Sequence, residues 1–469
     1  MTGPIPVPWS LSEWRCVVVY GLGLSGLAAL RFLRSKGISV VAVDQSREVS
    51  VPSDEATRLV LGEEDPELPD GVDAVVTSPG VPGDRLLLRQ ARAAGVPVLS
   101  EVELAFPFLR GAVVGITGSN GKSTTAAMTA AIFEEEGLEV ELCGNIGEPL
   151  SARIEGPAGR VFVVELSSFQ LEEVSSFKVD NAALLNLSPD HLDRYRNFDD
   201  YVAAKQRIFE RQTRDSTAVL NADDGRVVEI AAALEEPHVR FFSRRTQVED
   251  GCYLAGGDVI EVAPGGESER LFSCDDLHVS GLHNVENAMA ASLLARSRNV
   301  GGAAIRRGLR AFRGLPHRLE RVRDRAGVVW YDDSKGTNVG ATQKSLEGFC
   351  DHTVHLILGG RAKGGDPASL RETVRRKARH LYFIGESAAA FEEALGGEVA
   401  FSSVGTLEKA ISCAAENARV GEVVLLSPAC SSFDQFRSFE HRGERFQTLV
   451  RALNGEALNG ESGGETASL

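Results

Sequence analysis

The sequence has no long apolar run and no closely paired cysteines. None of its apolar segments approaches the roughly 20 residues that a membrane-spanning helix requires. Residues from Met1 to Trp14 have neither the basic stretch nor the apolar core of a secretion signal. The seven cysteines form no C-x-x-C pair, which argues against a zinc site and favours reduced thiols. We therefore expect a cytoplasmic protein that makes no membrane contact.

The sequence also has fewer basic than acidic residues. Lys and Arg total 50 against 66 Asp and Glu, and the resulting net charge of −16 opposes non-specific binding to nucleic acid. It does not oppose phosphate ligands, because a local site is enough to hold them. The length of 469 residues, with 43% hydrophobic and 25% charged residues, predicts a globular protein of two to four domains.

The strongest chemical signal is a glycine-rich segment from Thr117 to Thr125. It follows an apolar strand pattern at 112–115 and precedes a helical pattern at 126–136. Strand, glycine-rich turn and helix form the context of a phosphate-binding loop, in which backbone N–H groups and the helix N-terminus face an anion. The general Walker pattern has glycine where this chain has Ile116, so the segment departs from it by one residue.

An ordinary glycine-rich turn is the alternative interpretation of this segment. The run from Gly121 to Thr124 favours ATP binding, with Lys122 at the terminal phosphates. The hydroxyl of Ser123 or Thr124 would then ligate the Mg²⁺ that accompanies the nucleotide.

A second glycine motif lies near the N-terminus. Gly21 to Gly26 follows an apolar strand pattern, and a second strand pattern ends at Asp44. This is the G-x-G-x-x-G dinucleotide fingerprint, which taken alone indicates NAD. Its physical basis is only that a pyrophosphate binds at a helix N-terminus, so any nucleoside diphosphate fits equally well.

Several polar residues follow predicted strands or lie on predicted helices, and each has an alternative role. Glu165 ends a strand near the phosphate loop, which favours a Mg²⁺ ligand over a strand-capping acid. The sequence allows three interpretations of His191, namely a metal ligand, a phosphate contact or a buried structural residue. Asn145 is a turn residue or a substrate contact. Lys205 lies in an amphipathic helix, and on the residues alone we expect a solvated lysine, because an ammonium group repels Mg²⁺.

Two further features complete the pattern. Asn284 and Asn287 share a helix face, where they either hold a purine edge or cap the helix start. Beyond residue 314, four strand patterns are each followed by a polar loop, which predicts a parallel sheet with its ligand face at the ends of these strands.

These motifs, in this order, resemble the Mur ligases, ATP-dependent amide-forming enzymes of bacterial peptidoglycan precursor synthesis. The resemblance extends from about Val17 to Val450. Its most specific motifs are 117–125, 165–170, 188–195 with Lys205, 283–287, 316–318, 332–338 and 427–443.

The resemblance implies an α/β protein of three domains. A Rossmann-like UDP-substrate domain would span residues 1–108, a P-loop ATPase-like parallel-sheet domain 109–314, and a Rossmann-like α/β domain that binds the amino acid 315–453. Residues 454–469 are rich in Gly, Ser and Glu, and we expect them to form a disordered tail. We also expect a monomer.

By resemblance the reaction would join UDP-N-acetylmuramoyl-L-alanine to D-glutamate through an acyl phosphate. The residues implied at the UDP-substrate are Gly23, Leu24, Ser25, Asp44, Ser78, Gly80, Asn145 and Ser167. Those implied at ATP are Gly118, Asn120, Gly121, Lys122, Ser123, Thr124, Asn284, Asn287, Arg318 and Asp333. Those implied at D-glutamate are Thr337, Lys363, Ser432 and Phe439.

The resemblance also changes the interpretation of Lys205. Carbamylation by CO₂ would replace its positive charge with an anionic oxygen donor, which removes the objection to a metal role. Two Mg²⁺ ions are implied, with Ser123, Glu165, His191 and carbamylated Lys205 as ligands. The implied catalytic residues are Lys122, Glu165, His191 and Lys205.

Other functions are less consistent with the motifs. A related ligase that adds L-alanine or a diamino acid, or a folate polyglutamate ligase, shares most of them, and the 427–439 segment favours D-glutamate only by resemblance. An NAD-dependent oxidoreductase built on 21–26 leaves Lys122, Glu165 and His191 unexplained. A nucleotide-gated binding module would bind ATP without forming an amide.

Overall fold

The computed structural model describes residues 9–49, 51–52, 56–192, 194–279 and 281–453. The tail expected at 454–469 lies outside these residues. The described residues form two compact units. The first unit runs to Ser188 and resumes from Arg194 to Arg313, and the second contains the segment 189–192 and the chain from Gly314 onward.

The first sheet belongs to the first unit and is entirely parallel, with strand order β3-β2-β1-β4-β5. Strands β1, β2 and β4 are buried on both faces, which explains their valine-rich sequences, whereas the edge strand β3 is partly exposed. The order reverses between β1 and β4, the position at which open α/β sheets bind ligands. The elements are β1 (Cys16–Tyr20), α1 (Leu24–Ser35), β2 (Ser39–Asp44), β3 (Arg58–Leu61), β4 (Ala74–Thr77), α2 (Leu86–Ala93), β5 (Val98–Ser100) and α3 (Glu101–Ala105).

The second sheet, also in the first unit, has nine strands in the order β14-β13-β12-β11-β10-β9-β6-β8-β7. Its strands are β6 (Gly111–Thr117), β7 (Val140–Gly144), β8 (Arg160–Glu165), β9 (Asn181–Leu184), β10 (Thr217–Asn221), β11 (His238–Ser243), β12 (Gly251–Ala255), β13 (Asp258–Val262) and β14 (Ser268–Ser273). Neighbours from β7 to β12 are parallel, and β12 to β14 form an antiparallel extension.

Six helices accompany this sheet. They are α4 (Lys122–Glu135), α5 (Ser168–Glu172), α6 (Phe198–Gln206), α7 (Gly225–Ala232), α8 (Leu282–Arg296) and α9 (Gly302–Ala311). Helix α8 is buried along nearly its whole length, because it packs between α4 and strands β9 to β12. A helix buried on all sides needs the small apolar residues that give α8 its alanine-rich sequence.

The third sheet forms the core of the second unit, with strand order β15-β16-β20-β17-β18-β19. Only its edge strand β15 is antiparallel to its neighbour. Its elements are β15 (Glu320–Arg325), β16 (Val328–Asp332), α10 (Val339–Glu347), β17 (Val354–Gly359), α11 (Arg371–Lys377), β18 (Ala378–Ile384), α12 (Ala388–Leu395), β19 (Ala400–Gly405), α13 (Leu407–Asn417), β20 (Val423–Leu426) and α14 (Phe439–Ala452).

Three predominantly parallel sheets confirm the predicted α/β class. Among the described helices, none combines the length and apolar character needed to cross a bilayer.

Within the first unit, a buried carboxylate joins the first two sheets. Glu103 on α3 accepts hydrogen bonds from the backbone N–H groups of Ser175 at 3.0 Å, Ser176 at 2.9 Å and Phe177 at 2.9 Å. The Ser175 hydroxyl also donates to it at 2.9 Å. A fully buried carboxylate is tolerated here because these donors replace water.

Replacing Glu103 with Ala would leave several buried N–H groups without an acceptor. We expect Glu103→Ala to lower the free energy of unfolding by about 3 kcal/mol, and the melting temperature by roughly 5 °C or more. Scanning calorimetry of the variant measures this. Glu155 is exposed, so Glu155→Ala is the control and should match the wild type. Equal melting temperatures for all three proteins would contradict the structural role of Glu103.

Candidate functional site

The loop between β6 and α4 has a backbone that requires glycine. Gly121 is the N-cap of α4 and has φ 88°, in the left-handed region that favours glycine. A Cβ atom at this position would lie 2.3 Å from Oδ1 of Asn287 on α8. The loop therefore turns into α4 with its backbone directly against α8.

Side chains from neighbouring elements hold this loop. Asn186, just beyond β9, accepts from the backbone N–H of Asn120 at 2.9 Å and donates to its carbonyl at 3.0 Å. Ser119 Oγ donates to the carbonyl of Ser188 and accepts from its N–H, both at 2.9 Å, and lies 3.0 Å from the hydroxyl of Tyr201. Neither Asn186 nor Tyr201 was predicted at the site, although Asn186 follows a strand as other site residues do, and Ser119 was predicted only as part of the 117–125 segment.

The lysine and hydroxyls predicted to contact phosphate lie at the start of α4. Lys122 Nζ donates to the carbonyls of Gly118 at 2.9 Å and Ser119 at 3.0 Å, so its side chain lies back across the loop. Ser123 and Thr124 are buried in the first turn of α4. A helix N-terminus with an ammonium group beside it forms an anion site.

The two asparagines of α8 lie beside this loop. Asn287 Oδ1 accepts from the hydroxyl of Thr125 at 3.3 Å, and Asn287 Nδ2 donates to Asn284 Oδ1 at 3.1 Å. Helix α8 begins after Gly281 without a side-chain cap. Both predicted roles for these asparagines, at a purine edge and at the helix start, stay predictions.

Glu165 ends β8 next to the strand that leads into the loop, where it pairs with Ile116. Its side chain is only 2% exposed, and Oε1 accepts from Asn145 Nδ2 at 2.8 Å. Ser167 caps α5 through a reciprocal pair with Gln170. Asn145 and Ser167, both predicted at the UDP-substrate, thus lie near Glu165 and do not line the cavity of the first sheet.

Lys205 on α6 is only 2% exposed. The prediction of a solvated lysine, made from the residues alone, is therefore wrong. Its Nζ donates to the carbonyl of Gly118 at 2.9 Å and lies 4.6 Å from the ring centroid of Tyr201. The sequence of α6 did not indicate this burial. It arises because the helix packs the face that carries Lys205 against the P-loop.

His191 belongs to the short segment that groups with the second unit. It has φ 55°, and its Nε2 lies 3.8 Å from Oδ2 of Asp190. Asp190 in turn accepts from Asn338 Nδ2 at 2.9 Å. Glu165, paired with Ile116, and Lys205, hydrogen-bonded to Gly118, both lie next to the P-loop within the first unit, and the metal role of His191 stays a prediction.

A cavity of about 430 Å³ opens at the carboxyl edge of the first sheet. It is lined by six of the residues predicted at the UDP-substrate, namely Gly23, Leu24, Ser25, Asp44, Ser78 and Gly80. The Asp44 carboxylate is oriented by backbone N–H groups of Leu22 at 2.6 Å and Ser46 at 2.8 Å. Leu24 is 76% exposed at the start of α1, so the cavity offers both an apolar surface and a helix N-terminus.

In the second unit, polar loops follow β16, β17 and β20. Lys363 Nζ donates to Thr337 Oγ1 at 3.2 Å, so these two predicted D-glutamate residues are in contact. Ser432 Oγ is buried and has no hydrogen-bond partner among the described residues. Lys335 Nζ lies 3.8 Å from the ring centroid of Phe439, the first residue of α14.

Asp333, predicted at ATP, is buried directly after the end of β16. Its Oδ2 accepts from the hydroxyls of Ser345 and Ser427, each at 2.7 Å, and its Oδ1 from the N–H of Leu319 at 3.3 Å. Burial raises the pKa of Asp333 to about 6, although these hydrogen bonds and the charge of Arg318 oppose the shift.

Two buried groups near these loops were given no role by the sequence analysis. The guanidinium of Arg442 donates to the hydroxyl and carbonyl of Ser334 and to the carbonyl of Cys430. Burial lowers the pKa of Arg442 to about 10. His317 lies 2.7 Å from Asp332, and this hydrogen bond raises the pKa of His317. Arg442 joins the loops after β16 and β20, and His317 fixes the turn that carries Arg318.

Three family models match successive parts of the chain. They are the Mur ligase MurD-like N-terminal domain at residues 15–100, the Mur ligase middle domain at 116–295, and the Mur ligase glutamate ligase domain at 317–430.

Curated relatives are similar over nearly the full length. A UDP-N-acetylmuramoylalanine–D-glutamate ligase of Geotalea daltonii is 43% identical, covering 94% of this chain and 98% of that protein. The enzyme of the same name from Acidobacterium capsulatum is 41% identical, covering 94% and 97%.

Solved structures with the same fold are more distant in sequence. A pseudomurein peptide ligase type C from Methanothermus fervidus is 20% identical with a TM-score of 0.60, covering 94% of this chain and all of that one. MurF ligase from Thermotoga maritima in complex with ADP is 18% identical with a TM-score of 0.59, covering 94% and 97%. At these identities the similarity establishes the fold.

The raised pKa of Asp333 predicts a pH-dependent stability. Between pH 4 and about 6 the folded state keeps a proton that the unfolded state has lost, so stability falls as the pH rises through this window. We expect the wild type to lose about 3 kcal/mol relative to Asp333→Asn across this window, and no more above it.

Urea unfolding of both proteins at a series of pH values measures this difference. Asp324 is exposed in the same unit, and Asp324→Asn should follow the wild-type profile. Parallel profiles for the wild type and Asp333→Asn would show that burial does not perturb this carboxyl group.

Proposed function

Because the chain belongs to the Mur ligase family of ATP-dependent ligases, we propose that it joins UDP-N-acetylmuramoyl-L-alanine to D-glutamate in peptidoglycan precursor synthesis. The observation that carries this proposal is the similarity, over 94% of the chain, to relatives named for that reaction. The glycine-rich loop, the N-terminal cavity and the polar loops of the second unit each provide groups suited to one of its three substrates.

The P-loop would serve the activation of the substrate carboxylate. A carboxylate is a poor acyl donor, and transfer of the γ-phosphoryl group of ATP to one of its oxygens gives an acyl phosphate and ADP. Lys122 and the N–H groups at the start of α4 would stabilise the negative charge that spreads over the phosphoryl oxygens during this transfer. The neutral amine of D-glutamate then attacks the acyl carbon, and phosphate leaves.

The residues near the loop have the chemistry that Mg²⁺ prefers. The hydroxyl of Ser123 and the buried carboxylate of Glu165 are hard oxygen donors, and both belong to elements that meet at the P-loop. Bound Mg²⁺ supplies neutralisation of phosphate charge. Two ions, and His191 as a further ligand, follow from the family resemblance.

We propose that Lys205 acts as a carbamate. Its neutral amine would add to CO₂, forming an N–C bond and releasing a proton, so that an anionic oxygen donor replaces a cation beside the P-loop. This would explain why a lysine is buried next to groups that bind Mg²⁺, where an ammonium would be repelled.

The cavity of the first sheet suits the UDP part of the substrate. A pyrophosphate would bind the N-terminus of α1 near Gly23 and Ser25, and the oriented Asp44 carboxylate would accept from the ribose or base. Asn145 and Ser167, which lie near Glu165, would contact the muramoyl part, which carries the reacting carboxylate.

The second unit would bind D-glutamate. Lys363 would pair with a carboxylate, and the hydroxyl of Ser432, which has no partner among the described residues, would donate to one, with Thr337 and Phe439 beside them. We further propose that the enzyme is a cytoplasmic monomer. Its seven cysteines are free thiols, the state that a reducing compartment maintains.

ATP-dependent phosphate release tests the reaction directly. We expect release when purified protein, ATP, Mg²⁺ and UDP-N-acetylmuramoyl-L-alanine are mixed with D-glutamate, and background release with L-glutamate, L-alanine or diaminopimelate. Release with another amino acid would keep the chemistry and overturn the assignment of the amino acid. Release with none of them would overturn the ligase proposal.

Replacement of Lys205 tests the carbamate. We expect both Lys205→Ala and Lys205→Arg to lower kcat by at least ~100-fold, because neither provides an oxygen donor. Acetate in the assay should restore part of the activity of Lys205→Ala. Lys409 is exposed, and Lys409→Ala should retain wild-type activity. Full activity of Lys205→Arg would instead indicate that a positive charge suffices.

A further inference from the structure

Arg194 contacts the loop that lines the N-terminal cavity. Its guanidinium donates to the carbonyls of Pro79 at 2.5 Å and Val81 at 2.7 Å. Both residues belong to the cavity lining, in the turn that follows β4. Two charge-assisted hydrogen bonds from one planar group define the orientation of this turn.

The other contacts of Arg194 are to α5, the helix that follows Glu165. Its guanidinium carbon lies 4.0 Å from the ring centroid of Phe169, and its Nη2 lies 3.6 Å from Oε2 of Glu172. The side chain is 17% exposed, so both the cation–π contact and the ion pair are largely shielded from water. One side chain thus connects the cavity loop of the first sheet to the second sheet.

From this point a series of ring contacts leads to the P-loop. Phe169 stacks on Tyr195 with a centroid distance of 5.8 Å, and Tyr195 meets Tyr201 edge-on at 5.5 Å. The hydroxyl of Tyr201 lies 3.0 Å from Oγ of Ser119 in the P-loop. The segment that begins at Arg194 therefore contacts the cavity loop at one end and the P-loop at the other.

We propose that Arg194 is a positioning residue, which holds the 78–82 loop so that a UDP-linked substrate in the cavity presents its carboxylate toward the P-loop. This inference rests on the proposed function for the identity of that ligand. Arg194 acts through the backbone of the loop, since its hydrogen bonds are to carbonyl groups of the protein.

The effect of losing Arg194 should be local. Glu103 and its donors at 175–177 join the same two sheets independently, as does the ion pair between Arg92 and Glu173. Without Arg194 the two sheets would stay attached. The 78–82 loop would lose its hydrogen bonds to Arg194, while Ser78 would keep its hydrogen bonds to Tyr20 and Gly21. A specific loss of UDP-substrate affinity is therefore distinguishable from general destabilisation.

The test compares Arg194→Met with Arg196→Met. Arg196 lies two residues away, has a side chain that is 87% exposed and pairs with Asp200 on the surface, so its replacement changes net charge equally. Calorimetric titration with UDP-N-acetylmuramoyl-L-alanine, without ATP, should give a Kd about 10-fold or more higher for Arg194→Met. ATP affinity should change less than about 2-fold, and Arg196→Met should match the wild type.

Two further readouts separate positioning from a general structural role. Hydrogen exchange at the amides of Gly80 and Val81 in the ligand-free protein should accelerate in Arg194→Met and stay unchanged in Arg196→Met. Arg194→Lys keeps the charge and an ammonium donor but not the planar stacking surface, so its Kd should fall between those of wild type and Arg194→Met.

The outcomes are distinct. Unchanged exchange at Gly80 and Val81, or equal Kd values for Arg194→Met and wild type, would overturn the positioning role. A parallel loss of ATP affinity and of melting temperature would also overturn it, in favour of general destabilisation. Failure of the wild-type protein itself to bind the UDP-substrate would overturn the proposed function and, with it, the ligand named in this inference.

Discussion

The left-handed turn at Gly121 is the constraint on which the first unit depends. Its backbone lies so close to Asn287 that a Cβ atom here would clash with the Asn287 side chain, and its positive φ would strain any other residue. The turn starts α4 at Lys122, buries Ser123 and Thr124 in the first turn of α4, and directs the N–H groups of the helix start toward one point. Asn186, Ser119 and Tyr201 then hold the loop in this conformation, so that little reorganisation is needed when a polyphosphate binds.

A single rule of parallel sheets places the other candidate residues. Side chains that follow neighbouring parallel strands lie at the same edge of the sheet. In the first sheet this edge carries the Gly21 turn, Asp44 and Ser78, and in the second it carries the P-loop and Glu165. In the third sheet it carries Asp333 and the loops of Lys363 and Ser432. Three chemically different candidate sites thus arise from the same geometry.

This rule explains which features could be predicted from sequence. Strands that precede a polar loop, such as β8 and β20, are apolar and buried, so the local sequence pattern was sufficient to predict them. The edge strand β15 (Glu320–Arg325) is mostly charged, because only one neighbour covers it, and its pattern gave no strand signal. The burial of Lys205 depends on the packing of α6 against the P-loop, a tertiary contact that no helical period encodes.

The N-terminal fingerprint shows how far a motif alone can define function. Gly21 to Gly26 and Asp44 form the same helix-terminus geometry in this chain that would hold the pyrophosphate of NAD. Nothing in that geometry distinguishes a dinucleotide from another nucleoside diphosphate, because both present two phosphates and a ribose. The distinction comes from what the first sheet is attached to. Here Arg194, Glu103 and Glu173 join it to a sheet with its own phosphate loop, and the redox interpretation provides no role for that loop.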